Sequence, residues 1–106
     1  MIIGIVNSVN KVPIRLTEER LIHIISSHKE VLRKDKSRVL NAVEKPDFIL
    51  QGDVGEILAI KKISGKSLWL VVVYKEVNRK DGFILTAYFT SDNRWLFKRK
   101  ILWSRE

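Results

Sequence analysis

The spacing of apolar and polar residues changes near the middle of the chain. In the first half, apolar side chains recur at the spacing of an amphipathic helix in two segments, about residues 18–28 and 35–44. Thr17 stands just before the first segment, where a threonine hydroxyl can cap a helix N-terminus. An apolar run at about residues 2–6 comes earlier, and Pro13 breaks the segment that follows it. The first half therefore predicts a short strand followed by two helices.

After Pro46 the pattern is typical of β-strands separated by short turns, and Asp81-Gly82 is the clearest turn signal. The predicted strands cover residues 47–51, 56–62, 68–75 and 83–90. Because the connections are short, consecutive strands should pair in antiparallel directions. Residues 93–103 are amphipathic and could form a last strand or a helix. We therefore expect one α+β domain over residues 1–106, with two N-terminal helices packed on a four- to five-stranded antiparallel meander sheet.

The strand predicted at residues 83–90 carries a polar row on an otherwise apolar segment. Thr86, Tyr88 and Thr90 recur at period two and should line one face. Further hydroxyl and cationic residues continue this row or end the neighbouring strand: Ser91, Arg94 and Lys75. Hydroxyl donors beside cations suit a phosphate, and Tyr88 could also stack on a base. The alternative is structural, because threonine favours strands and a tyrosine can cover a sheet with its hydroxyl in water.

The net charge of the chain indicates a polyanionic ligand. Twenty lysine and arginine residues stand against 12 aspartate and glutamate residues, a formal net charge of +8. Charge of this size attracts nucleic acid or anionic lipid, although a protein that merely carries many surface lysines has it too. The run Lys98-Arg99-Lys100 would add non-specific RNA affinity, or would simply form a solvated face. Trp95 precedes this run and could stack on a base, whereas Trp69 and Trp103 are expected to anchor the core and its edges.

Several classes of protein are excluded by what the sequence lacks. The chain has no cysteine, which excludes disulfides and thiolate metal sites and fits a reducing compartment. No apolar run approaches the ~20 residues that a membrane span needs. The glycine-rich loops that bind phosphates and dinucleotides do not occur, so no cofactor is expected. We therefore expect a soluble, cytoplasmic protein without a metal or a cofactor.

Both histidines of the chain fall in the first predicted helix. Their spacing of five places His23 and His28 roughly 140° apart around the helix, so they cannot easily share a metal ion. His28 lies on the apolar stripe at the C-terminal end, where the helix dipole favours imidazolium, and this suits general acid or base catalysis. It could equally hydrogen-bond the last helix carbonyls. Periodicity alone makes His23 a surface residue.

Several motifs follow one another in a recognisable order: Leu16-Thr17-Glu18-Glu19-Arg20-Leu21-Ile22-His23-Ile24, His28, Lys45-Pro46-Asp47, Leu70-Val71-Val72-Val73 and Ile84-Leu85-Thr86-Ala87-Tyr88. In this order, over about residues 14–103, the chain resembles the phage-associated branch of the barnase–EndoU–colicin–RelE-like nucleases, which are small metal-independent RNases and toxins. The resemblance implies a fold of helices followed by a meander. It also implies RNA cleavage by the ribose 2′-hydroxyl, which leaves a 2′,3′-cyclic phosphate and a 5′-hydroxyl.

The resemblance also implies roles for individual residues. His28 would be the leading acid or base and His23 a second one, while Thr86 and Tyr88 would contact the phosphate or a base. Relatives have a proline where this chain has Lys29, so the helix could continue past His28 and redirect its side chain.

These observations give the hypothesis of a small metal-independent endoribonuclease, as in the toxin of a toxin–antitoxin or phage-related system with an acidic antitoxin or immunity partner. The hypothesis requires His28 to lie close enough to the row of Thr86 and Tyr88 for one phosphate to touch both. The alternatives are a non-catalytic basic RNA-binding module and an interaction domain for an acidic partner.

Overall fold

Seven strands form one mixed sheet in the computed structural model, which describes residues 1–105. The strands are β1 (Ile2–Asn7), β2 (Pro13–Thr17), β3 (Phe48–Gln51), β4 (Ile57–Lys62), β5 (Trp69–Asn78), β6 (Asp81–Thr90) and β7 (Ile101–Ser104). Their order across the sheet is β1-β2-β6-β5-β4-β3-β7, and neighbours pair antiparallel except β2 and β6, which run parallel. The helices in this range are α1 (Glu18–Ser27) and α2 (Lys36–Glu44), with 3-10 turns at Arg33–Asp35 and Leu96–Lys98.

The predicted four- to five-stranded antiparallel meander, with its barnase–EndoU–colicin–RelE-like arrangement, is wrong. Strands β3 to β6 pair in sequence, but β1 and β2 extend the sheet on one side and β7 on the other. Pro13 is the first residue of β2, a position that a proline can take because no ladder hydrogen bond is lost there. The parallel pair of β2 with β6 joins segments far apart in the chain, which short-range periodicity cannot predict. The two 3-10 turns add helical segments that the pattern also does not predict.

Helix α1 begins and ends at residues that satisfy its free backbone groups. The Thr17 hydroxyl accepts a hydrogen bond from the Arg20 amide at 3.1 Å, as expected of an N-cap. At the other end His28 has an extended backbone, with φ −128° and ψ 90°, and its amide donates to the Ile24 carbonyl at 2.8 Å. The helix therefore does not continue past His28 into Lys29.

The sheet buries apolar side chains on both of its faces. The helix face packs against α1 and α2 and takes these residues of β5: Leu70, Val72 and Tyr74. The opposite face, which we call the tail face, takes the alternate residues of β5: Trp69, Val71 and Val73. Leu96 and Phe97 of the C-terminal 3-10 turn cover part of the tail face. This arrangement explains why β5 is apolar without interruption from Trp69 to Tyr74.

Gly82 lies where β2, β5 and β6 meet, opposite Ile14. A Cβ atom at this position would come within 2.6 Å of the Lys75 carbonyl oxygen and 2.5 Å of an Ile14 methyl group. Because the backbone oxygen belongs to a paired strand and cannot rotate away, Gly82→Ala should lower the free energy of unfolding by about 1–3 kcal/mol. Urea denaturation measures the change. The control is Gly4→Ala, whose Cβ would meet the flexible end of the Leu40 side chain, and equal losses in the two variants would contradict this explanation.

Candidate functional site

The end of α1 meets β6 at a pair of aromatic rings. The imidazole of His28 and the phenol of Tyr88 have centroids 5.5 Å apart, with an angle of 31° between the ring planes. Tyr88 stands opposite Val71 and belongs to the tail face. The His28 side chain is 34% exposed, so a ligand can reach it from solvent. His28 therefore lies close to Tyr88, as the ribonuclease hypothesis requires.

Glu30 lies beside this pair of rings. Its Oε2 atom accepts a hydrogen bond from the Phe89 amide at 3.3 Å and lies 3.9 Å from Nδ1 of His28. The second distance is too long for a hydrogen bond, but it places a carboxylate next to one nitrogen of the imidazole. Because the backbone of β6 holds Glu30, the carboxylate can restrict the orientation of the His28 ring when that nitrogen carries a proton.

Arg99 supplies a positive charge that acts on the Tyr88 hydroxyl. Its Nη1 atom donates to Asp53 Oδ1 at 2.8 Å and to the Gln51 carbonyl at 3.4 Å, and its side chain is 23% exposed. The guanidinium also lies 5.9 Å from the centre of the Trp95 ring. Its Nε atom is buried and has no hydrogen-bond partner among residues 1–105.

The environment of Tyr88 sets the protonation of its hydroxyl. Burial raises the pKa of Tyr88, and the positive charge of Arg99 offsets part of this rise. The phenol therefore stays protonated near neutral pH and acts as a hydrogen-bond donor. The hydrogen bond and the charge of Arg99 also lower the pKa of Asp53, which keeps this carboxylate ionised.

The other residues of the polar row share the tail face with Tyr88 but differ in their partners. Thr86 stands opposite Val73, and Thr90 stands opposite Trp69. The Thr90 hydroxyl accepts a hydrogen bond from the Asp92 amide at 3.1 Å, so part of its capacity serves the local turn.

The basic candidates lie around this row rather than inside it. Lys75 stands opposite Phe83 on the tail face and is exposed. Arg94 pairs with Asp92 at 3.4 Å and is highly exposed. Three more of the candidate RNA-binding residues are exposed near the C-terminal end: Ser91, Lys98 and Lys100. They can attract a phosphate backbone, whereas Arg99 is the member of this set whose charge acts on the Tyr88 hydroxyl.

The structure does not bring His23 to the site. His23 is exposed on α1, on the side away from the buried Leu21 and Ile24. Sequence reasoning also missed Glu30 and Asp53. Glu30 binds the Phe89 amide, 59 residues away in the chain, and Asp53 binds Arg99, 46 residues away. Local periodicity has no signal for such contacts.

No group of histidine, aspartate or glutamate residues within 1–105 could hold a metal ion. In the same range, no helix has the length and apolar character needed to cross a membrane. Comparison with known proteins finds no matching family model, no similar curated protein and no matching solved structure. The resemblance to the nuclease family therefore stays a prediction.

The influence of Arg99 on Tyr88 can be measured directly. Arg99→Met should raise the pKa of Tyr88 further, because burial remains while the nearby positive charge is removed. NMR signals of the tyrosine ring carbons, followed through alkaline pH, report this pKa, and Tyr74 serves as the internal reference. Arg99→Lys should restore part of the effect, and Arg94→Met is the control for loss of an exposed arginine. An unchanged Tyr88 titration in Arg99→Met would show that the two side chains do not interact.

Proposed function

We propose that the protein is a small metal-independent endoribonuclease. The observation that carries the proposal is the contact of the His28 and Tyr88 rings, 5.5 Å apart, together with the charge of Arg99 acting on the Tyr88 hydroxyl. An acid–base group, a hydroxyl donor and a fixed cation are what a phosphoryl transfer needs when it uses no metal.

The proposed reaction uses His28 as the base. Its imidazole takes the proton of the ribose 2′-hydroxyl while the 2′-oxygen forms a bond to the adjacent phosphorus. The bond from phosphorus to the 5′-oxygen breaks, and Tyr88 gives its proton to that leaving oxygen. The products are a 2′,3′-cyclic phosphate and a 5′-hydroxyl, and proton exchange with water then restores imidazole and phenol.

Arg99 and Thr86 would stabilise the charge that develops on the phosphate. The positive charge of the guanidinium would act on the phosphate, and it lowers the cost of forming a transient tyrosinate on Tyr88. Thr86 lies two residues before Tyr88 on the same face and can donate its hydroxyl to a non-bridging oxygen. The exposed Lys75, with the wider net charge of +8, would hold the neighbouring phosphates.

The proposal is tested by incubating the protein with end-labelled single-stranded RNA in EDTA. Cyclic-phosphate ends should appear, and a single deoxyribose at the cleaved position should abolish the reaction. His28→Ala should lower the initial rate by about 10²–10⁴-fold, the usual contribution of a general acid or base. Tyr88→Phe keeps the ring and should also lower the rate, because it removes the proton donor.

His23→Ala is the matched control, since it changes the same residue type on the same helix at an exposed position. Equal losses in His23→Ala and His28→Ala would contradict the assignment of the base. RNA binding without cleavage would instead support the alternative, a non-catalytic basic RNA-binding module.

We further propose that the protein is the toxin of a toxin–antitoxin or phage-related system and that it cleaves RNA in the cytoplasm. An acidic antitoxin or immunity protein would complement the net charge of +8. Expression in bacterial cells should then arrest growth, and His28→Ala should relieve the arrest at equal protein levels. Arrest by both forms would argue against toxicity through RNA cleavage, and growth could be followed by optical density.

A further inference from the structure

A small cleft on the tail face lies next to the proposed site and has a different lining. It has a volume of about 200 Å³ and is lined by Asp47, Phe48, Lys62, Trp69, Ser104 and Arg105. Lys62 stands directly opposite Trp69, and Ser104 directly opposite Phe48, so the cleft crosses four neighbouring strands. The volume is below the roughly 300 Å³ at which sites for drug-sized ligands begin, so the cleft suits one ring system rather than a whole nucleotide.

The aromatic wall of the cleft is held from behind. The Phe97 ring meets those of Phe48 and Trp69 edge-on, with centroid distances of 5.0 and 5.5 Å. The ammonium of Lys62 lies 5.1 Å from the Trp69 ring centre, in a position typical of a cation over an aromatic face. A long, exposed side chain therefore covers this part of Trp69, and a planar base could displace it. The displaced lysine would then be free to pair with a phosphate.

Asp47 supplies a hydrogen-bond acceptor in the same cleft. Its Oδ2 atom accepts from the Lys62 amide at 2.8 Å, which fixes the side chain. Its Oδ1 atom is buried and lies 2.9 Å from Nη2 of the exposed Arg105, so this guanidinium forms an ion pair with it. The Arg105 side chain is 67% exposed, so a base could displace its guanidinium from the carboxylate, which is only 13% exposed. An amino group of the base would then donate to Asp47 in its place.

The chemistry of the acceptor selects among the bases. Adenine, cytosine and guanine carry an exocyclic amino group that can donate to a carboxylate, whereas uracil carries none. The aromatic wall accepts any base, since each has a flat face that stacks. Asp47 should therefore decide which bases bind, and Trp69 how tightly they bind.

The position of the cleft connects it to the ring pair. Trp69 stands directly opposite Thr90 and is a diagonal neighbour of Tyr88, roughly 7–8 Å across the strand pair. We infer that the cleft binds the base of a nucleotide next to the cleaved phosphate, and that it prefers bases with an exocyclic amino group. This inference rests on the proposed function in one respect, namely that the ligand is RNA.

The test separates binding from cleavage by using His28→Ala protein and short labelled oligo(A), oligo(C) and oligo(U). Fluorescence anisotropy should show that oligo(A) and oligo(C) bind at least about fivefold more tightly than oligo(U). Asp47→Asn, which keeps the shape and adds a donor, should remove this preference. Trp69→Leu should weaken binding of all three by about 5- to 150-fold.

Trp103→Leu is the matched control, because Trp103 pairs with Ile49 and so lies on the helix-face side of β7. Circular dichroism checks that each variant is folded. If Trp69→Leu is not folded, the result for Asp47→Asn alone decides the test. Equal binding of the three oligomers, unchanged by Asp47→Asn, would overturn the inference while leaving the cleavage proposal intact. No binding of any oligomer would overturn both.

Discussion

The short parallel pairing of β2 with β6 is the constraint on which the site depends. Among the described residues this pairing has two positions, Ile14 with Gly82 and Arg15 with Phe83. The chain then leaves the sheet at Thr17 and turns into α1, so a helix rather than a strand accompanies the second half of β6. Ten helical residues later the chain has reached the end of β6, where His28 meets Tyr88. A longer parallel pair would have placed a strand where the imidazole now lies.

Local chemistry determines the parts of this structure that sequence reasoning could find. The N-cap at Thr17, the helix after it and the apolar strand at β5 follow from side chains within a few residues of one another. The mixed sheet could not be predicted in this way, because β2 finds its partner about 70 residues later and β7 pairs with β3 from the end of the chain. An isolated apolar strand does not specify its neighbour, and the direction of pairing depends on the whole arrangement.

In the candidate site too, some residues follow from local sequence patterns and others depend on contacts between distant parts of the chain. The row of Thr86 and Tyr88 follows from period two, and His28 follows from its place at the helix end. The sequence does not show which residue of Lys98-Arg99-Lys100 is held in place. In the structure Arg99 pairs with Asp53, while Lys98 and Lys100 remain exposed. His23 entered only through the family resemblance, and the helix carries it to the opposite side.

The tail face joins the proposed reaction site and the base cleft through one short segment. Leu96 is fully buried there, and this burial holds the 3-10 turn on the sheet. From the same turn, Phe97 supports Trp69 in the cleft, and the Arg99 amide donates to the Leu96 carbonyl at 3.1 Å. The turn thereby fixes the backbone of Arg99, whose charge acts on Tyr88. Because one segment positions the cation at one site and the aromatic support at the other, the two cannot move independently. A strand of RNA bound in the cleft would therefore meet a guanidinium that is already in place, and binding of the base would add to the alignment of the phosphate.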